Sequence, residues 1–199
     1  MGKLITTFCL ITAVLLGNPE VSASADFQKG LNAAQNGDFE TALREWKPLA
    51  ERGGVVAQYN LGQLYRHGAG VTQDNGIAAK WWKLAAAQGH EIAQYNLGVM
   101  YTKGLGVKKD YKTAVSWYRL AAASGNARAF NNLAVMYAVG AGVLKDYVYA
   151  HMWGNLASAH GRTNGIKLRN FIERKMTPKT IAEAQNLARE CTAKRYKGC

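Results

Sequence analysis

The sequence predicts an all-α protein built from a repeated pair of helices. Three segments of 36 residues share one pattern, and residues 57–92 match residues 93–128 at 18 of 36 positions. Unrelated segments would match at roughly two positions, so the pattern is an internal repeat. Apolar residues recur at helical spacing within each segment, and glycines follow each helical stretch. The fold of the chain should therefore follow from one unit.

The first helix of each unit, helix A, is predicted from apolar residues that share one helical face. In the second unit these are Ala93, Leu97, Met100 and Tyr101. Gly98 lies beside that face and, having no Cβ, would let a second backbone come close. Gly104 should end the helix in the left-handed conformation, and Gly106 permits a further turn. We interpret these glycines as turn residues rather than a phosphate cradle, because no third glycine or Lys-Ser/Thr pair follows.

The second helix, helix B, should begin at an aspartate that caps free backbone N–H groups. Asp74, Asp110 and Asp146 occupy this place, and we interpret them as caps rather than acid/base or metal groups. The apolar face in the second unit consists of Ala114, Trp117, Tyr118, Ala121 and Ala122. The recurring tryptophans share the register of the alanines, which favours a packed core over a ligand-binding box.

The motifs L-G-x-x-Y and G-x-G-V, followed by Asp, Ala, Trp and A-A, resemble the Sel1-like repeat, a relative of the tetratricopeptide repeat. The resemblance implies a right-handed α-solenoid of antiparallel helix pairs with capping helices at both ends. It also implies a role in binding proteins, and it does not imply an enzymatic activity. The expected structural core of the repeats is Leu61, Gly62, Tyr65, Trp81, Leu97, Gly98, Tyr101, Trp117, Leu133, Tyr137 and Trp153.

The chain is expected to begin with a cleaved secretory signal over residues 1–25. Lys3 supplies a positive charge, residues 4–16 form an apolar run of 13, and Ala23-Ser24-Ala25 is a small-residue cleavage site. A run of 13 is shorter than the roughly 20 residues that span a bilayer. The mature protein, from Asp26, is therefore predicted to be periplasmic or secreted.

The remaining chain divides into a degenerate N-terminal capping repeat (26–56), three repeats (57–92, 93–128 and 129–164) and C-terminal capping helices (165–199). No Pro/Ser-rich linker interrupts the repeats, so one continuous domain is expected. In the first cap, Glu45 replaces the recurring tryptophan, as a terminal repeat without an outer neighbour allows. Near the other end, Thr177 and Pro178 begin a helix.

Two cysteines, Cys191 and Cys199, remain after removal of the signal. In an oxidising compartment they should form a disulfide, with two free thiols as the alternative. Eight residues of α-helix would hold their Cα atoms about 12 Å apart, so the helix must end between them.

The formal net charge is +12, and residues 161–199 hold ten Lys/Arg against three Asp/Glu. This basic tail would attract an anionic lipid, an acidic glycan or an acidic protein, although a solvated terminal face is the simpler interpretation. Nucleic acid is not expected, because no aromatic residues are interleaved for base stacking and no nucleic-acid motif is present.

The sequence predicts no catalytic residue, cofactor or metal site. The four histidines lack metal-ligand spacing and fall at different places in the repeat: His67, His90, His151 and His160. The chain also lacks the per-repeat cysteine pair of some relatives that are associated with β-lactam-like ligands.

We therefore predict a non-catalytic adaptor that binds a protein or peptide on its concave surface. The resemblance to tetratricopeptide arrays implies a contact surface on helix A, made of Tyr59, Gln63, Arg66, Tyr95, Val99, Thr102, Asn131, Val135 and Ala138. The alternatives are that these are only solvated helix positions, that the protein is an enzyme or accessory acting on cell wall or glycan, or that it attaches to an anionic surface through the basic tail.

Overall fold

The computed structural model describes residues 19–199, with side chains from residue 24, and over these residues it contains ten α-helices and no strand. The predicted all-α fold is confirmed. The helices are α1 (Pro19–Gln35), α2 (Phe39–Glu51), α3 (Val55–His67), α4 (Asn75–Ala87), α5 (Glu91–Lys103), α6 (Tyr111–Ala123), α7 (Ala127–Val139), α8 (Tyr147–Ala159), α9 (Thr163–Glu173) and α10 (Pro178–Ala193). The predicted signal lies outside the described residues except for residues 19–25, which belong to α1.

The described residues form two compact units, which divide between Leu84 and Ala85. The sequence predicts one continuous domain, whereas the contacts cluster on either side of this point within α4. Helix pairs in a repeat array contact only their neighbours, so contacts are local along the chain.

The first unit is built around α2 and α3. Its core consists of Ala42, Trp46, Leu49, Ala50, Ala57, Leu61 and Leu64. Phe27 of α1 covers this core and stacks on Trp46 at a centroid distance of 6.0 Å. The Trp46 indole N–H donates to the Phe27 carbonyl at 3.2 Å, which ties α1 to α2.

The second unit contains the pairs α5/α6 and α7/α8 and the two C-terminal helices. Its largest core cluster draws on α6, α7 and α8 and includes Ile172 of α9 and Cys191 of α10. Both α9 and α10 contact α8. The C-terminal helices therefore close the apolar face of the last repeat, as expected of a cap.

Within a helix pair, an aromatic ring of helix B lies directly on a glycine of helix A. A Cβ added at Gly98 would overlap the ring of Tyr118, and one added at Gly62 would overlap Trp82. The sequence suggested that Gly98 admits a neighbouring backbone, but the glycine admits an aromatic side chain. Tyr118 and Trp82 are buried, each one residue after the recurring tryptophan.

The pair α7/α8 has small residues at both of these positions. Ala134 takes the place of the glycine, and Gly154 takes the place of the buried ring. The aromatic contact moves to Trp153, which is 1% exposed and stacks on Phe130 at 5.8 Å. The ring that is missing at Gly154 is thus replaced by the ring of the adjacent residue, Trp153.

The predicted aspartate caps are confirmed. Asp110 accepts from the N–H groups of Lys112 and Thr113 at 2.9 and 3.3 Å, and Asp146 caps α8 in the same way. Asp74 caps α4 by accepting from the Ile77 N–H at 2.9 Å. Hydrogen bonds from the side chain and backbone of Thr113 lower the pKa of Asp110 below 3.8.

The caps of the helix A segments differ between repeats. His90 caps α5, where its Nδ1 accepts from the Ala93 N–H at 3.2 Å, and Asn126 caps α7 through its side-chain oxygen. Burial lowers the pKa of His90 below 6.5, with a smaller opposing effect of Glu91. The cap of α5 thus requires a deprotonated ring nitrogen, whereas that of α7 does not titrate.

We expect Gly98→Ala to destabilise the protein by about 1–3 kcal/mol, because the new Cβ overlaps the Tyr118 ring. In a Tyr118→Ala background the same change should be neutral or stabilising by about 0.5–1 kcal/mol, because alanine favours a helix over glycine. Urea unfolding of the four proteins measures the coupling. If Gly98→Ala lowers the free energy of unfolding equally in the wild-type and Tyr118→Ala proteins, the contact with the Tyr118 ring is not the reason for glycine at position 98.

We expect His90→Asn to reduce the pH dependence of stability. The folded pKa of His90 is lowered, so its contribution is fully present above the unfolded pKa near 6.5 and is lost as the pH falls through the folded value. The free energy of unfolding of the wild type should therefore fall relative to the variant between pH 7.5 and 5. The asparagine at position 126 already performs this role in the next repeat. Parallel pH profiles would contradict the assignment.

Candidate functional site

The second unit has a surface cleft of about 290 Å³ between α5 and α7. Its lining consists of Tyr95, Val99, Thr102, Lys103, Tyr118, Asn132, Val135 and Met136. Four of these belong to the predicted contact surface: Tyr95, Val99, Thr102 and Val135. The repeat therefore brings residues of two successive helix A segments, 36 residues apart, around one depression.

The floor of the cleft is a hydrogen-bonded group of side chains. The Thr102 hydroxyl donates to the Gly98 carbonyl at 2.7 Å and lies 3.1 Å from the Tyr118 hydroxyl. Burial raises the pKa of Tyr118 above 10.0, and hydrogen bonds with the side chains of Thr102 and Asn132 only partly oppose this. Tyr118 is therefore a neutral phenol at physiological pH, able to hydrogen-bond but not to act as a base.

The walls of the cleft are largely apolar. Val135 is 40% exposed, Val99 is half-buried, and the ring of Tyr95 lies 6.0 Å from that of Tyr118. Lys103 is exposed and adds a positive charge to the lining. Apolar walls with a few fixed polar groups are typical of a binding site.

The other predicted contact residues lie elsewhere. Asn131 and Ala138 of α7 are half-buried but do not line the cleft, and Ala138 packs against the core. Tyr59, Gln63 and Arg66 lie half-buried on α3 in the first unit. The structure thus groups four of the nine predicted residues. The sequence did not identify Lys103, Tyr118, Asn132 and Met136, because their place in the cleft depends on contacts between helices.

The repeats match the family model described as the Sel1 repeat over residues 55–90, 92–126 and 127–161. The chain belongs to the Sel1 repeat family. Proteins of this family generally serve as scaffolds for protein interaction and are typically non-catalytic. The matched Sel1 repeats begin one or two residues before the predicted ones.

Two solved structures are similar to this Sel1 repeat protein. One is a protective antigen of uropathogenic Escherichia coli strains with an SLR fold, at 30% identity and a TM-score of 0.61, and the alignment covers 87% of this chain and 46% of the antigen. The chain thus spans about half the length of that protein. The other is a Sel1 repeat protein from Oxalobacter formigenes, at 38% identity and a TM-score of 0.60. That alignment covers 65% of this chain and 97% of the Oxalobacter protein. A comparison with curated proteins finds no match.

The predicted core positions of the Sel1 repeats differ in burial. Leu61, Leu97 and Leu133 are fully buried, and the two helix A glycines, Gly62 and Gly98, are buried beside them. The tyrosines are less enclosed: Tyr65 and Tyr101 are half-buried, and Tyr137 is 7% exposed. Among the tryptophans, Trp153 is buried whereas Trp81 and Trp117 are half-buried, because the adjacent aromatic residue holds the inner place.

A buried histidine joins α8 to α9. His151 is fully buried, and its Nε2 lies 2.8 Å from Glu173 Oε1, while its Nδ1 lies 3.2 Å from the Asn155 amide nitrogen. Because that amide can only donate, the neutral ring carries its proton on Nε2 and donates it to Glu173. The geometry resembles an oriented catalytic base, but a fully buried ring has no access to substrate. The arrangement is therefore structural, and the sequence did not predict it because its partners are 22 residues apart.

No metal constellation and no membrane-spanning helix occur in the described part of the chain. Residues 19–199 contain no group of three His, Cys, Asp or Glu side chains that could hold a metal ion. None of the ten described helices is long and apolar enough to cross a bilayer.

The C-terminal segment turns back on the second unit. A disulfide joins Cys191 and Cys199, whose Cα atoms are 5.6 Å apart. Between them, Arg195 and Tyr196 have φ values of 51° and 66°, a conformation that disfavours non-glycine residues. The Tyr196 ring packs 5.1 Å from Phe130, and its hydroxyl lies 3.2 Å from His160 Nε2. The disulfide and the aromatic contact therefore hold the turn together.

We expect Cys199→Ala to lower stability by up to about 2–3 kcal/mol, the chain-entropy value for a loop of this length. Because the turn is unfavourable at Arg195 and Tyr196, the amides of residues 194–199 should also exchange hydrogen faster. Unfolding curves and hydrogen exchange measure both effects. Tyr196→Phe is the control, since it keeps the disulfide and the ring. Unchanged exchange in Cys199→Ala would show that the turn does not need the disulfide.

Proposed function

We propose that this protein is a non-catalytic scaffold of the cell envelope that binds a partner polypeptide in the cleft between α5 and α7. The observation that carries the proposal is the convergence of residues from two repeats, Tyr95, Val99 and Thr102 with Val135, on one apolar depression with a hydrogen-bonding floor. The general role of Sel1 repeats in protein interaction supports it.

The dimensions of the cleft suit one or two side chains of a peptide. A volume of about 290 Å³ lies at the lower limit of small-molecule sites, which measure roughly 300–1,000 Å³. An apolar side chain would pack between Val99 and Val135, and the hydroxyl of Tyr118 would offer a hydrogen bond below it. Tyr95 would cover the bound side chain, since tyrosine is a frequent anchor residue in protein interfaces.

The envelope location is supported by two features. The first 25 residues have the charge, apolar run and small-residue site of a secretory signal. The bridge between Cys191 and Cys199 is typical of an oxidising compartment, because cytosolic thiols are kept reduced.

We expect Val135→Glu to weaken partner binding at least about tenfold, because a charge would be buried against the apolar walls. Crosslinking in the native envelope and mass spectrometry identify the partner, and calorimetry with the purified partner measures its affinity. Val139→Glu is the matched control, since Val139 is 64% exposed on the same helix and does not line the cleft. Equal losses in the two variants, or none in either, would contradict the proposed site.

A further inference from the structure

The positive charge of the protein is concentrated in the second unit. Residues 85–199 carry 17 Lys/Arg and 6 Asp/Glu, whereas residues 19–84 carry seven of each. The difference of 11 in the second unit accounts for almost the whole formal charge of +12. The first unit supplies a neutral surface of similar helical construction.

Within the second unit, the segment of α9 and the turn after it has the most one-sided charge. Residues 162–179 contain six cations and one acid, Glu173. That acid is already engaged, because Glu173 lies 2.8 Å from His151 Nε2 and 3.6 Å from Arg169 Nε. No unpaired carboxylate of this segment therefore offsets the cations.

The outward side of α9 combines these cations with exposed apolar side chains. Lys167 and Phe171 lie one turn apart on α9, and Lys175 follows in the turn after the helix. Phe171 is 55% exposed, and the Lys175 ammonium lies 5.1 Å from its ring centroid. Ile166 is 39% exposed, and Arg174, the residue directly after α9, is also exposed. We call these five residues the α9 face.

We propose that the α9 face binds an anionic phospholipid bilayer. Each cation near such a surface contributes favourably to binding, and exposed apolar side chains gain further by entering the boundary between headgroups and acyl chains. Phe171 and Ile166 are the exposed apolar side chains that could enter this boundary. An acidic glycan has no apolar interior that would favour them in the same way. The α9 face does not line the α5/α7 cleft, so this inference does not depend on the proposed function.

The other basic segments nearby lack either the exposed apolar side chain or the uncompensated positive charge. Lys194, Arg195 and Lys197 are exposed in the disulfide loop, but the aromatic residue there, Tyr196, packs inward on Phe130. On α10 the exposed Glu183 and Glu190 oppose the neighbouring cations. These differences narrow the anionic contact predicted for the basic tail, residues 161–199, to the α9 face.

Vesicle flotation tests the proposal with the full-length mature protein. Vesicles of 30% phosphatidylglycerol in phosphatidylcholine should bind the protein, and vesicles of phosphatidylcholine alone should not. Lys167→Glu/Lys175→Glu should weaken binding to the anionic vesicles more than about tenfold, because two attractive charges become repulsive. Lys194→Glu/Lys197→Glu is the matched control with the same change in net charge, and it should weaken binding less than about threefold.

Phe171→Ala tests the apolar contribution separately. At low salt this variant should retain vesicle binding, and in high salt, where charge attraction is screened, it should release more readily than the wild type. All substituted residues are exposed, and circular dichroism verifies folding. Equal binding to both vesicle types, equal losses in the two double variants, or binding to a soluble acidic polymer with no vesicle binding would overturn the proposal. The last outcome would instead indicate an acidic macromolecule as partner.

Discussion

The spacing of the helix pairs depends on an aromatic ring that lies on a residue without a Cβ. Gly62 with Trp82 and Gly98 with Tyr118 make this contact, and Gly30 with Trp46 makes it in the capping pair. The ring fills the volume that a side chain on helix A would occupy, so the two helices approach at a distance set by the ring. Where both positions are small, as at Ala134 and Gly154, the adjacent Trp153 supplies the buried ring instead and stacks on Phe130.

The same contact also determines the chemistry of the surface above it. In the first unit the inner ring is Trp82, whose indole N–H donates to the Tyr59 carbonyl at 3.1 Å. This hydrogen bond lies within the fold, so the indole N–H is not offered to a ligand. In the second unit the ring is Tyr118, whose hydroxyl reaches Thr102 and forms the floor of the cleft. One substitution at an internal position thus converts a closed contact into a polar floor. A repeat protein can acquire a binding site in this way without altering its packing.

The sequence predicted the features that follow from short-range rules. The aspartate caps and the glycine helix ends depend on neighbours within a few residues, and their sequence signals occur in all three repeats. In the first two repeats the inner aromatic position is one residue after the predicted one, because Trp117 and Tyr118 both fit a helical period and only packing decides between them. The contact between His151 and Glu173 and the residues that complete the cleft depend on distances between helices, which a pattern along one chain does not contain.

The C-terminal cap shows why an end of a repeat array can hold functions that its interior cannot. Inside an array each helix pair packs against neighbouring pairs, whereas a terminal helix has a neighbour on one side only. On α9 the inner side is anchored by Ile172 in the core and by Glu173 on His151, and these contacts leave the opposite side without a structural role. Cations and an exposed phenylalanine can accumulate there at little cost to folding, since their side chains replace no packed contact. A terminal helix held by its inner face is therefore free to present charge outward.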